Sequence, residues 1–227
     1  MKTTTIALAA GLLVAALAGP TALAAPADVA HPYILWTPAE AARLRETFER
    51  EAWARDSLER LAAQPKSRAF VDLFRAAVLG DEKAAKSERD YLLTFIDAPL
   101  ERRDASGRGI GKHYDNYLHA LRYDLFYETL TPAQREGLER TFRRFVQYEL
   151  DHPYRNTRLS LLPNMQLPRM FAAHLMSVAL QDEVLIRHLW AEPSGFKWYF
   201  DEYLSDGGFY NEEFGKMTSL IGELLLY

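Results

Sequence analysis

Cysteine is absent from this 227-residue chain. Without it there is no disulfide framework and no lipid-bearing cysteine behind a leader, so stability has to come from packing. Also missing are a His-Glu-x-x-His pair and a Gly-x-Ser-x-Gly elbow, which leaves a zinc hydrolase or a serine hydrolase without its anchor. No segment alternates apolar and polar residues as a half-buried strand does. Beyond the first residues, no apolar run approaches the roughly 20 positions a membrane-spanning helix needs. Positive charge is not in excess either. The 27 Lys and Arg face 31 Asp and Glu, a formal net charge of −4. Nothing here neutralises phosphates broadly, and nucleic acid is not an expected partner.

What is present begins with a leader. "MKTTTIALAAGLLVAALAGPTALAAPADVA" places Lys2 ahead of an apolar run from Ile6 to about Gly19, and Ala22-Leu23-Ala24 has the small-x-small form of a cleavage site. These are the parts of a secretory signal, so residues 1–24 are expected to be removed, with a mature start at Ala25 and a periplasmic or secreted product. The run is too short for an anchor. The leader contains one lysine and no acid, so the mature chain has 26 cationic and 31 acidic side chains, a net of −5. Residues 25–227 suffice for one domain with a sizeable core. The chain stops on "MTSLIGELLLY", rising in apolar character with no Gly, Asn or Pro to end a helix, and it reads as the N-terminal part of a longer protein.

The mature region predicts helix after helix. "WTPAEAARLRETFER" has Thr37 as N-cap, Pro38 at the first helical position and Glu40 at the third, a capping box. "LTPAQREGLERTFRRFVQYEL" repeats that grammar with Thr131, Pro132 and Gln134. Within it, Leu138, Phe142, Phe145 and Val146 recur at helical spacing and define an inward face. Further helices are expected over 67–79, 82–95, 113–127, 165–180, 183–190 and 197–204. "APLERRDASGRGIGK" is the one long connection. Its Gly107, Gly109 and Gly111 follow no strand and lack the Lys-Ser/Thr ending, so it is no phosphate loop. An all-α chain of this kind packs as a bundle, a solenoid or a closed ring of helix pairs. No fixed-period repeat supports the solenoid.

Three segments carry candidate chemistry. In "GKHYDNYLHALRYDLFYETL", His113, Tyr114, Tyr117 and Arg122 are candidates to line a cleft, although Tyr117, Leu121 and Leu125 at helical spacing read as core. His113 and His119 are six apart and fall on different faces, so no metal set is expected. In "RNTRLSLLPNMQLPRMFAAHLMS", Asn164 and Gln166 sit between Pro163 and Pro168, which predicts backbone held out of regular helix, with Asn164 also a possible N-cap. His174, among Phe171, Leu175 and Val178, reads as a core histidine. In "YLSDGGFYNEEFGKM", Gly207 and Gly208 precede Phe209, Tyr210, Glu212, Glu213, Phe214 and Lys216. The double glycine and the acids suit a helix start, and aromatic faces with a few polar groups suit a sugar.

Three places together resemble the heparinase II/III and alginate-lyase type of polysaccharide lyase. "HPYILWTPAEAARLRE" is similar to the opening of that family's helical domain. "LRYDLFYETLTPAQRE" is similar to its Tyr-Asp helix followed by Leu-Thr-x-x-x-Arg, and "SDGGFYNEEFGK" to its Asp-Gly-x-x-x-Glu turn. The resemblance implies an (α/α) toroid of antiparallel helix pairs, here incomplete at its C-terminal end. It also implies β-elimination on an anionic, uronate-containing polysaccharide, with no cofactor and no metal. By that resemblance Asn164 is the amide that neutralises the uronate carboxylate, Gln166 its reserve, and Tyr210 the catalytic base or acid. His113, Tyr114, Arg169, Glu212 and Lys216 are expected to bind substrate, with Arg155 and Arg158 adding local positive potential. The chain departs from the pattern at Met165, where relatives have His, and at Phe214, Lys216 and Met217, where the family tyrosine usually falls. Two other classes remain open: a glycoside hydrolase pairing Asp206 with Glu212 or Glu213 about 5 to 10 Å apart, and a non-catalytic glycan-binding module.

Overall fold

The computed structural model describes residues 29–98, 116–151, 163–191, 204–205 and 209–210, apart from the side chains of 66, 163–168 and the last two pairs. The protein is mostly helical. Among the described residues, eight α-helices run in the order α1 (Pro38–Arg50), α2 (Ala52–Ala62), α3 (Arg68–Ala77), α4 (Glu82–Leu93), α5 (Tyr117–Phe126), α6 (Pro132–Asp151), α7 (Pro163–Ala179) and α8 (Glu183–Ala191). β1 (Leu204–Ser205) and β2 (Phe209–Tyr210) follow as an antiparallel pair with Leu204 opposite Tyr210. No described helix is long and apolar enough to cross a membrane. The chain divides into two compact units.

One unit comprises the described residues through Ala98 together with Leu118–Thr141. Its helix starts follow from the sequence. Glu40 N is bound by the Thr37 hydroxyl at 3.3 Å while the Glu40 carboxylate accepts from Thr37 N at 2.9 Å. Gln134 and Thr131 exchange the same two bonds ahead of α6, at 3.3 and 2.9 Å. Each box satisfies two of the backbone groups that a helix start leaves unpaired. Gly80 takes a φ of +70°, which only a residue without Cβ adopts freely, and turns the chain from α3 into Asp81. Asp81 then caps α4, accepting from Lys83 N and Ala84 N at 3.0 Å each. α3 packs on α4 and α1 on α2. Trp36 sets its ring edge-to-face on Phe70 and Phe74, at 5.7 and 5.6 Å, and so pins the segment before α1 to α3. Val71, Leu73, Val78 and Leu92 fill the core beneath, joined by Leu118, Leu121, Tyr123 and Leu138. The turn after α4 approaches α6 closely, for Asp97 N donates to Thr141 Oγ1 at 3.0 Å and a Cβ on Gly137 would stand 3.0 Å from Ile96 Cγ2.

The other unit includes Tyr117 and the described residues from Phe142 onward. α7 and α8 pack together, and Phe142, Phe145, Val146, Met170, Met176, Ile186 and Leu189 are buried. Asp182 caps α8 through Val184 N and Leu185 N, and its other oxygen pairs with Arg143.

Four expectations need correction. Asn164 and Gln166 do not lie outside regular helix, because α7 begins at Pro163, where proline's missing N–H costs nothing. Pro168 within that helix has no N–H to offer, so the Asn164 carbonyl goes without its usual intrahelical partner. The stretch after Gly207-Gly208 does not open as a helix at Phe209 and Tyr210, which are strand residues paired back across the glycines. Leu204, expected to end a helix, is in β1. Finally, α2 was not expected as a separate helix; Glu51, extended at φ −102° and ψ 118°, breaks it from α1. The leader and the connection over 99–115 lie outside the described residues.

Candidate functional site

α5 carries two buried polar joints, both within the first unit. The Asp124 side chain is 0% exposed, yet its carboxylate is fully engaged. It accepts from His31 Nδ1 at 2.6 Å, from Tyr33 N at 3.0 Å and from Ile34 N at 2.8 Å. A carboxylate already receiving backbone N–H groups acts only as an acceptor, so Nδ1 carries the imidazole proton. In the neutral ring Nε2 is then an acceptor, and Nδ1 makes the ring's sole hydrogen bond among the described residues. The imidazole stacks on Tyr127 at 4.0 Å between centroids, with Tyr33 at 5.1 Å and Tyr123 at 5.9 Å.

Around this dyad, Arg135 places its guanidinium 4.1 Å from the Tyr127 ring centre. Its Nε is buried without a hydrogen-bond partner, and the Glu128 carboxylate stands 3.8 Å from its Nη2. Tyr123 donates to Glu139 at 2.8 Å; burial and then that carboxylate raise the phenol's pKa, so it stays protonated. A histidine oriented by a buried carboxylate, ringed by tyrosines and next to an arginine with unused donors, is an arrangement that accepts a proton or a hydroxyl and attracts an anion.

The second joint lies two residues back along α5. Arg122 Nε donates to Glu88 at 2.7 Å, and its guanidinium stands 4.7 Å from the centre of the Tyr91 ring. His119 stacks on Phe95 at 4.1 Å and on Tyr91 at 5.5 Å. Burial, then the Arg122 charge, pushes His119 down to about 3, so it is neutral at ordinary pH. Arg122 Nη1 and His119 Nδ1 are buried without hydrogen-bond partners.

Of the residues that the sequence singled out, Arg169 is buried in the second unit and holds Glu149 through Nε at 3.0 Å and Nη2 at 2.6 Å. Its charge is therefore balanced inside the fold. Arg122, a candidate for a cleft, is likewise buried against Glu88. His174 is a core histidine, pushed by burial to about 4. Asn164 and Gln166 are in the first turns of α7, and Tyr210 is in β2. His113, Tyr114, Arg155, Arg158, Glu212, Glu213 and Lys216 lie outside the described residues, as does Asp206. Among the described residues no three His, Asp or Glu gather as metal ligands. Sequence reasoning gave no role to His31, Asp124 or Arg135. Their one signal was the family resemblance: His31 opens one quoted stretch, and Asp124 and Arg135 are the Asp of the Tyr-Asp helix and the Arg of Leu-Thr-x-x-x-Arg in another.

Compared with protein-family models, with curated proteins and with solved structures, the chain matches none.

Proposed function

We propose that this chain is the helical, (α/α)-toroid portion of an exported lyase that cleaves a uronate-containing polysaccharide by β-elimination. The observation that carries the reading is the His31–Asp124 contact. Two of the three stretches that resemble the lyases, 93 positions apart in sequence, form one joint in the folded chain. The reaction then has three requirements. An amide or cation neutralises the uronate carboxylate so that the C5 proton becomes acidic, a base removes that proton, and O4 leaves with the C4–O4 electron pair and takes up a proton while C4 and C5 become doubly bonded. Asn164 is assigned the first task, with Gln166 as reserve, and Tyr210 the transfer of the proton. His113, Tyr114, Glu212 and Lys216 are assigned to substrate. Arg169 supports α7 through Glu149 and acts on substrate only through the placement of that helix.

The test is ultraviolet absorbance while the secreted protein is incubated with alginate, glucuronan, hyaluronan and heparan-type polymers. A rise in the unsaturated-uronate band that disappears in Asn164→Ala or Tyr210→Phe supports the assignment. Reducing ends without absorbance make the protein a hydrolase, and binding with neither signal makes it a glycan-binding module.

A further inference from the structure

We propose that α2 carries a self-complementary stripe through which two copies of this chain associate as an antiparallel, two-fold pair. Neither the sugar nor the reaction proposed above enters into this contact. α1 and α2 lie at the margin of the first unit, for neither contains a buried residue. α2 packs on α1 and α3, and Ala54, Leu58, Leu61 and Ala62 form its half-buried side. Along its outer flank Trp53, Asp56, Arg60 and Ala63 recur at spacings of three and four, so they share one stripe, and all four are exposed. Trp53 is 60% exposed. Tyr91 is exposed as well, but it has the Arg122 guanidinium and the His119 ring against it, whereas Trp53 has no ring or cation partner among the described residues. Asp56 and Arg60 stand one helical turn apart and do not pair with each other. Arg60 donates to the Ser57 hydroxyl at 3.1 Å, and Asp56 has no hydrogen bond or ion pair among the described residues.

The order along the stripe selects the occupant. It reads large, acid, base, small, and a copy of itself run in the opposite direction matches it at every level. Trp53 lies over Ala63 of the second copy, Asp56 meets its Arg60, and the two-fold axis repeats both contacts. Alternating steps of three and four are those of a coiled-coil seam, so the four side chains can face one partner helix together. A parallel copy would set Asp56 on Asp56 and Arg60 on Arg60, and like charges reject that direction. From Trp53 to Ala63 the seam is about 15 Å long at 1.5 Å per residue. A contact of this length is at the small end of specific interfaces, so the pair forms reversibly and depends on concentration.

A charge exchange tests this contact. Sedimentation equilibrium of the secreted protein over rising concentration should show the mass climbing from one chain toward two. Asp56→Arg alone and Arg60→Asp alone each place like charges across the seam and should weaken the association tenfold or more. The double variant with both changes restores opposite charges across the axis and should recover it to within about threefold of the original, or about 0.7 kcal/mol. Trp53→Ala should weaken it tenfold or more. All of these positions are exposed, and circular dichroism with urea unfolding checks that each variant folds; if Trp53→Ala does not, the charge exchange decides. A single-chain mass at every concentration, association that no single variant diminishes, or a double variant no better than the single ones overturns the pair. A protein that stays monomeric and instead binds an alginate trisaccharide, with that binding lost in Trp53→Ala, gives the stripe to a sugar and likewise overturns it.

Discussion

Asp124 and Arg122 lie two positions apart on α5, both buried and both charged, and they are accommodated in different ways. Asp124 is met by one imidazole and two backbone N–H groups of a segment that the fold brings to it. Arg122 is met by the flexible carboxylate of Glu88 and by the face of Tyr91, and Nη1 is left over. Backbone donors in an ordered segment satisfy a buried charge without fixing further side chains, whereas a side-chain pair orders two long chains and still leaves donors unpaired. The first joint should therefore hold the fold strongly, and the second should be replaceable.

The largest effect is expected at Asp124. Asp124→Ala strips the acceptor from three donors at once, at about 1–3 kcal/mol for each one left buried, so urea unfolding should show a loss above about 4 kcal/mol. Glu88→Ala leaves Arg122 buried and unpaired and should cost about 3 kcal/mol, yet the double change Glu88→Leu with Arg122→Met should come within about 1 kcal/mol of the original or exceed it. If the double variant is as damaged as the single one, the contrast between the two joints fails.

Acid sharpens the contrast further. His119 is held at about 3 in the folded chain, below the ordinary value near 6.5. Between those values the unfolded chain binds a proton that the folded one refuses, so the neutral ring's contribution is complete above pH 6.5 and declines as pH falls toward 3. The slope is at most about 1.4 kcal/mol per pH unit for one histidine. His174, held at about 4, adds a term of the same sign in the other unit. His119→Phe keeps the stack on Tyr91 and Phe95 and should flatten the acid limb of a stability–pH curve. The smallest change is at a helix start: Thr131→Ala removes one arm of the box ahead of α6 and should lower stability by about 1 kcal/mol in the same unfolding assay.

The helix starts and the inward face of α6 were legible because their signals are local. Thr37 and Thr131 act on residues three positions away, and Leu138, Phe142, Phe145 and Val146 share a face by spacing alone, so all four are buried as expected. The β1–β2 pair was not legible, since strands of two residues are too short to alternate. Asn164 was misplaced because two nearby prolines signal a break, while a proline at the first position of a helix is compatible with it. The His31 site was beyond reach for another reason: nothing in the composition of residues 31–34 names a partner 93 positions on, and the carboxylate that orients the imidazole looks like an ordinary helix residue in its own segment.

That separation sets a schedule. A ribosome adds about 5–20 residues per second, so the segment around His31 exists for roughly 5–20 s before Asp124 has been made. Through that interval α1 to α4 can settle on contacts between near neighbours in sequence and Trp36 can dock on α3, while His31, Tyr33 and Ile34 still wait for their carboxylate. The residues that reach farthest along the chain are thus the last of this unit to find their place.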